Sequence, residues 1–160
     1  MNIRIGQGID AHRFGAPRPL ILGGVTVPFD RGLEAHSDGD VVIHALCDAL
    51  LGAAALGDIG GHFPDNDASY KNIDSRVLLR RVRDAIANAG WRVVNVDLTV
   101  VAQAPKLKPY AAQMQALLAQ DLAIESGQIN IKATTTERMG FTGRGEGIAA
   151  FAVCLIEALP

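Results

Sequence analysis

Residues 91–104 read WRVVNVDLTVVAQA, and this stretch sets the fold class. Valine, threonine and an aromatic residue dominate it, which predicts a strand. On its N-terminal side, Leu78, Val82 and Ile86 recur at the spacing of one helical face. That helix is expected to start at Asp74 or Ser75, to carry an Arg80/Asp84 pair one turn apart, and to stop at Gly90. On the C-terminal side, Pro109 suits the first turn of a further helix reaching about Asp121, and QINIKATTT (residues 128–136) is a second strand. Helices and strands thus intermix, predicting one α/β (α+β) domain over residues 1–160 with a mixed, mostly antiparallel sheet and helices on one face.

Further from that strand, NIRIGQGIDAH (residues 2–12) alternates loosely, and its glycines suggest a strand closely approached by other groups. LILGGVTVP (residues 20–28) reads as two short strands around Gly23 and Gly24. DVVIHALCDALLGAAAL (residues 40–56) has helical periodicity through Val41, Ala45, Asp48, Leu51 and Ala55, with Ser37 or Asp38 available as N-cap. Between the helices, GDIGGHFPDNDASYKNI (residues 57–73) is too long for a passive connection and is a candidate functional loop. The last stretch, GIAAFAVCLIEAL (residues 147–159), leaves two readings open: alanine and leucine favour a helix, while length and neighbours suit a buried strand.

Fifteen basic against seventeen acidic residues give a net charge of −2, with no basic run to mark a nucleic-acid or membrane surface. A phosphate ligand would therefore need local chemistry. No stretch has the length and apolarity of a membrane span, and the N-terminus lacks a signal-like apolar region, so a cytosolic protein is expected. Cys47 and Cys154 sit in apolar patterns without a C-x-x-C partner, which predicts buried thiols.

Asp10 and His12 are two apart in the first strand, so they project from one face with α-carbons about 6.6 Å apart. A surface pair at a strand end is the simpler account. His44 changes the balance, because an imidazole between Ile43 and Ala45 on an apolar helix needs a partner. An Asp/His₂ set with an open fourth position is the donor set of a catalytic zinc ion. Cys47 is a rival ligand, but a buried thiol fits its surroundings better. In AHSDGD (residues 35–40), free amides at a helix start favour an anion, although plain N-capping explains at least part of the pattern. In KATTTERMGFTGRGEG (residues 132–147), three threonines supply hydroxyls, and Glu137 is a hard-oxygen ligand suited to Mg²⁺. A glycine-turned sheet edge is the alternative, and it leaves Glu137 and Arg144 without a purpose. No P-loop, Rossmann fingerprint or nucleophile-elbow motif is present.

The stretches GIDAHRF, LGGV, AHSDGDVVIHALCDALLGAAALGDIGGHFPD, DSR, VVAQAPKL and IKATTTERMGFTGRGEGIA together resemble the 2-C-methyl-D-erythritol 2,4-cyclodiphosphate synthases of non-mevalonate isoprenoid synthesis. The resemblance runs in order through nearly the whole chain. It implies a homotrimer around a threefold axis with active sites between subunits. It also implies conversion of 4-diphosphocytidyl-2-C-methyl-D-erythritol 2-phosphate to the cyclic diphosphate with release of CMP. By the same resemblance, Asp10, His12 and His44 bind Zn²⁺, and Glu137 binds a second divalent cation, Mg²⁺ or Mn²⁺. The substrate's methylerythritol and phosphates would meet Asp10, His12, His36, Ser37, Asp58, Ile59, Gly60, Phe63, Pro64, Asp65, Asn66 and Asp67. Its cytidine diphosphate would meet Ala102, Gln103, Ala104, Pro105, Lys106, Leu107, Lys108, Ala133, Thr134, Thr135, Thr136 and Glu137, with the contacts at Leu107 and Lys108 made by backbone. His36 and Thr135 match positions that stabilise the transition state, and Phe141 and Arg144 match an axial cavity that accepts an isoprenoid diphosphate. A bacterial cytoplasm, or a plastid stroma after transit-peptide removal, is the implied location. Two other classes share some of these features: a zinc phosphohydrolase, which would release inorganic phosphate, and a non-enzymatic isoprenoid-diphosphate sensor.

Overall fold

The computed structural model describes residues 2–15 and 17–160. In chain order the elements are β1 (Ile3–Arg13), β2 (Leu20–Leu22), β3 (Val25–Val27), α1 (Val41–Ala53), α2 (Ile59–His62), α3 (Ser75–Asn88), β4 (Trp91–Val101), α4 (Ala111–Leu122), β5 (Ile129–Thr134), α5 (Gly140–Gly143) and β6 (Gly147–Ala158). The main sheet has the order β1-β6-β4-β5. β6 is antiparallel to both β1 and β4, and β4 is parallel to β5, so the sheet is mixed and mostly antiparallel as expected. β2 and β3 form a separate hairpin turned by Gly23 and Gly24, both at positive φ.

The last stretch of the chain is a strand, and a central one. Its alanines serve packing rather than helix propensity. Ala150 and Ala152 are buried on the side where α1 lies across β1 and β6. In β1, Gly8 stands opposite Ala152 and Gly6 opposite the buried Cys154. A Cβ on Gly8 would lie 2.0 Å from the Ala45 carbonyl oxygen, and one on Gly6 would lie 1.9 Å from that of Ala49. Helix and sheet can approach this closely only because both surfaces lack bulk. α3 packs against α1 and β4, and α4 against α3 and β5, so the long helices cover one face. The other face carries Ile3, Ile5, Ile9, Phe151 and Val153, all exposed, with Ile9 paired to Phe151 across β1 and β6.

Several local expectations are corrected. Asp40, not Ser37 or Asp38, caps α1 by accepting from the Ile43 amide. Asp38 instead binds Ser75, and Ser37 binds His44. With the cap occupied by a carboxylate, the start of α1 is not an open anion site. Arg80 does not pair with Asp84. It reaches Asp121 at 2.9 Å, where Arg76 also binds, and Asp84 is taken by its neighbour Arg83. Asp121 is almost fully buried, so these charges tie α3 to α4 where an intrahelical pair would have joined only α3 to itself. Pro109 lies in a short 3₁₀ turn immediately before α4.

Candidate active site

The β1 alternation directs Asp10 and His12 toward α1, and α1 supplies His44 from a residue buried at the strand-facing side. His44 Nδ1 lies 3.1 Å from Asp10 Oδ2 and 3.2 Å from His12 Nε2, and His12 Nε2 lies 2.9 Å from Asp10 Oδ2. These three atoms form a near-equilateral triangle. A tetrahedral zinc with bonds of about 2.0–2.2 Å has ligand–ligand edges of about 3.3–3.6 Å, so the three donors need spread by only a few tenths of an ångström, about 0.1–0.7 Å, to hold an ion between them. Two imidazole nitrogens aimed at each other and at one carboxylate oxygen fit a shared cation better than any hydrogen-bond pattern. Among the described residues no fourth protein donor joins the triangle, and on its outward side a cavity of about 330 Å³ opens.

Electrostatics agree with a cation-seeking corner. Burial pushes the Asp10 carboxyl upward, but hydrogen bonds and charge from His12 and His44 overcome it and hold Asp10 well below the usual carboxylate range. Burial lowers the His44 imidazole, yet Asp10 together with Asp40 and Asp38 reverses the effect and raises it. The corner therefore carries a carboxylate poised to share a positive charge.

The cavity is walled by His36, Ser37, Ile59, Gly60, Phe63 and Asp65, all predicted from the sequence, so the long loop does wall this space. His36 Nε2 is held 3.1 Å from the Asp67 carbonyl. Four predicted residues of the loop do not line the cavity: Asp58 caps α2 through the Gly61 amide, Asp67 bonds the Ser69 amide, and Pro64 and Asn66 stand beside it. Sequence reasoning missed Asp48, which lines the cavity and accepts from the Ile59 amide at 2.7 Å. Its spacing of four from His44 puts it on the same helical face, a signal available in the sequence. It also missed Tyr70, whose ring meets Phe63 edge-on at 5.4 Å.

The predicted nucleotide residues gather elsewhere. A cavity of about 210 Å³ is lined by Ala102, Gln103, Pro105 to Lys108, and Ala133 to Thr135. The parallel register of β4 and β5, Val101 opposite Thr134, brings these two segments side by side. Leu107 is buried, which leaves its backbone for contacts. Ala104, Thr136 and Glu137 do not line this cavity. Thr136 bonds Thr142 within its own turn, whereas Glu137 and Arg138 both take positive φ, 52° and 66°. The Glu137 amide and carboxylate both bond the Thr135 hydroxyl. Phe141 lines a third hollow with Ala11, His12 and Arg13, while exposed Arg144 is paired with Glu146 at 2.9 Å.

A larger cavity, about 520 Å³, opens at the far end of β4 between Ile86, Trp91, Leu122 and Leu159. Its arginines, Arg83 and Arg92, are already paired with Asp84 and Glu157, and no ligating cluster among the described residues faces it. Size therefore does not mark the chemical centre here. Cys47 and Cys154 are buried free thiols among the described residues, and burial pushes Cys154 up to about 11. Neither joins the triad.

Fold and triad together define an α+β protein with a three-donor corner suited to a divalent metal and open on its fourth side. The chain belongs to the YgbB family, whose profile matches residues 3–157. It is 63% identical, over 96% of its own length and 94% of the relative's, to 2-C-methyl-D-erythritol 2,4-cyclodiphosphate synthase of Alkalilimnicola ehrlichii. The structure of the bifunctional IspDF from Campylobacter jejuni superposes with a TM-score of 0.95 at 46% identity over 98% of this chain, which spans 42% of that longer protein. IspF of Plasmodium falciparum, solved as a CDP complex, superposes with a TM-score of 0.87 at 34% identity, covering 99% of this chain and 98% of that one. No helix among the described residues is long and apolar enough to cross a membrane.

Proposed function

We propose that this chain, residues 1–160 as one cyclodiphosphate synthase domain, converts 4-diphosphocytidyl-2-C-methyl-D-erythritol 2-phosphate to 2-C-methyl-D-erythritol 2,4-cyclodiphosphate and CMP. The observation that carries the reading is the open Asp10/His12/His44 triangle at the mouth of a cavity walled by the long loop. A substrate phosphate is already a nucleophile, so the site needs alignment and charge neutralisation rather than a Ser-His-Asp relay. Zn²⁺ fits the nitrogen and oxygen donors, and when bound it supplies Lewis-acid charge at the phosphate. His36 and Ser37 stand at the same cavity and orient phosphate oxygens, and Ile59, Gly60 and Phe63 exclude water around the methylerythritol carbons. Thr135 donates to the transferring phosphoryl group, and Glu137 offers a hard-oxygen site for Mg²⁺ or Mn²⁺. Backbone from Ala102 to Lys108 and from Ala133 to Thr134 holds the cytidine diphosphate.

The reading includes a homotrimer with sites between subunits. Two features support it: the exposed apolar residues gathered on one sheet face, and the separation of metal and nucleotide cavities within one chain. An isoprenoid diphosphate near Phe141 and Arg144 belongs to the same reading, with Arg144 exchanging Glu146 for phosphate. So does a place in the bacterial cytoplasm.

Incubating the zinc-loaded protein with the cytidyl substrate and following products by phosphorus NMR tests the proposal. CMP and the cyclic diphosphate should appear in equal amounts with no inorganic phosphate. Release of inorganic phosphate would make the protein a hydrolase, and ligand binding without turnover would make it a sensor.

A further inference from the structure

The triad uses one nitrogen of His44, and the other is engaged by two buried hydroxyls, of which Ser75 has no other part in the proposed reaction. His44 Nε2 lies 2.9 Å from Ser75 Oγ and 3.1 Å from Ser37 Oγ. Ser75 is fully buried at the first turn of α3, and its hydroxyl lies 2.5 Å from Asp38 Oδ1. The Asp38 carboxylate also receives the Ser75 amide on Oδ2 at 3.0 Å and the Asp40 amide on Oδ1 at 3.1 Å.

The proton positions follow from this geometry. A carboxylate only accepts, so the single Ser75 hydroxyl proton points at Asp38. What Ser75 presents to His44 is then a lone pair, and a favourable contact at 2.9 Å requires the proton to sit on His44 Nε2. Ser37, whose oxygen already receives the Gly39 amide, can accept from the same N–H. With the opposite tautomer, Ser75 Oγ and His44 Nε2 would face each other lone pair to lone pair inside the core.

We infer that Ser75 and Asp38 are positioning residues that fix His44 in the Nε2–H form, so that the Nδ1 lone pair is presented to the ion shared with Asp10 and His12. This rests on the reading of the triad as a metal centre and adds two residues that reach the ion only through His44. The arrangement spans three elements: α1 supplies the imidazole, the segment before it supplies Asp38, and α3 supplies the hydroxyl. Outer partners of this kind typically govern metal affinity by about 10–100-fold, because they set the tautomer and hold the ring.

The test uses full-length protein and Zn²⁺ alone, without substrate. In the zinc-loaded wild type, nitrogen-15 correlation spectra of the imidazoles should show His44 bound through Nδ1, with a slowly exchanging proton on Nε2. Ser75→Ala should weaken zinc binding about 10–100-fold in chelator competition and speed exchange of that proton. Ser75→Thr, which returns the hydroxyl, should recover most of the affinity. Asp38→Asn should fall between, since its amide oxygen can still accept from Ser75. Coordination through Nε2 in the wild type, or an unchanged zinc affinity in a folded Ser75→Ala, would overturn the inference while leaving the triad intact. If the wild type fails to bind zinc, the metal-centre reading falls and the positioning role falls with it. Should Ser75→Ala not fold, the wild-type spectrum still decides between the two tautomers.

Discussion

The metal corner and the nucleotide segment stand at opposite extremes of how a site is built. Asp10, His12 and His44 rest on the close contact of α1 with β1, and the groups behind them are buried and hydrogen-bonded. Thr134, Thr135 and Glu137 are exposed at and just beyond the end of β5, and two neighbouring residues there hold positive φ. The first region is finished within one chain. The second has backbone strain and donors around a cavity of about 210 Å³, whose other wall the proposed trimer would supply.

Breaking the metal corner should have the largest effect. His44→Ala removes one of three donors, so bound zinc by elemental analysis and cyclisation should both collapse, the latter at least about a thousandfold, with the fold retained by circular dichroism. Full zinc occupancy in that variant would break the contrast, since the triad would not be the metal site.

Next comes the packing beneath it. Gly8→Ala places a methyl against a backbone oxygen that cannot rotate away. A loss of about 3 kcal/mol in chemical denaturation is expected, whereas Thr134→Ala in the exposed half should change stability by no more than about 0.5 kcal/mol. Equal losses would erase the distinction between the two regions.

The buried foundation also carries a pH signature. Asp40 is wholly buried, and although three backbone amides favour its charged form, burial and the charge of Asp38 dominate and push its carboxyl up to about 6. An acid whose pKa is raised in the fold binds its proton more tightly folded than unfolded. Its stabilisation is complete below about pH 4 and is lost as pH rises through about 6. Measured against Asp40→Asn, the wild type should therefore lose relative stability between pH 4 and 7, by roughly 3 kcal/mol at most. A gain over that interval would show that the amides win. The smallest effect belongs to the exposed half: Glu137→Gly relieves a left-handed residue but adds chain entropy, so stability should shift by less than about 0.5 kcal/mol while activity falls.

The same contrast explains what the sequence disclosed. Asp10, His12 and the glycines of β1 are local signals, readable from a period of two and from the absence of side-chain bulk. The loop at 57–73 announced itself by composition and length. The alanines of β6 pointed both ways, because small residues chosen to admit α1 are indistinguishable in sequence from good helix formers. Ser75 and Asp38 are 37 positions apart, and Arg80 and Asp121 are 41 apart. Pairings of that range are set by how helices dock, which no local period encodes. The nearer candidates, Ser37 as a cap and Asp84 as a partner, were therefore the ones visible.

The central claim is that the finished half of one chain works with the unfinished half of another. Thr135→Ala chains should be inactive for want of the phosphoryl donor, as His44→Ala chains are for want of the metal. When the two are unfolded together in equal amounts and refolded with zinc, each half of a shared site is intact with probability of about one half. About one quarter of the sites should then be wholly wild type, and activity should recover to roughly that fraction of identically treated wild type. If the mixture stays as inactive as either parent while mass spectrometry shows mixed assemblies, both halves act within one chain and the account is wrong.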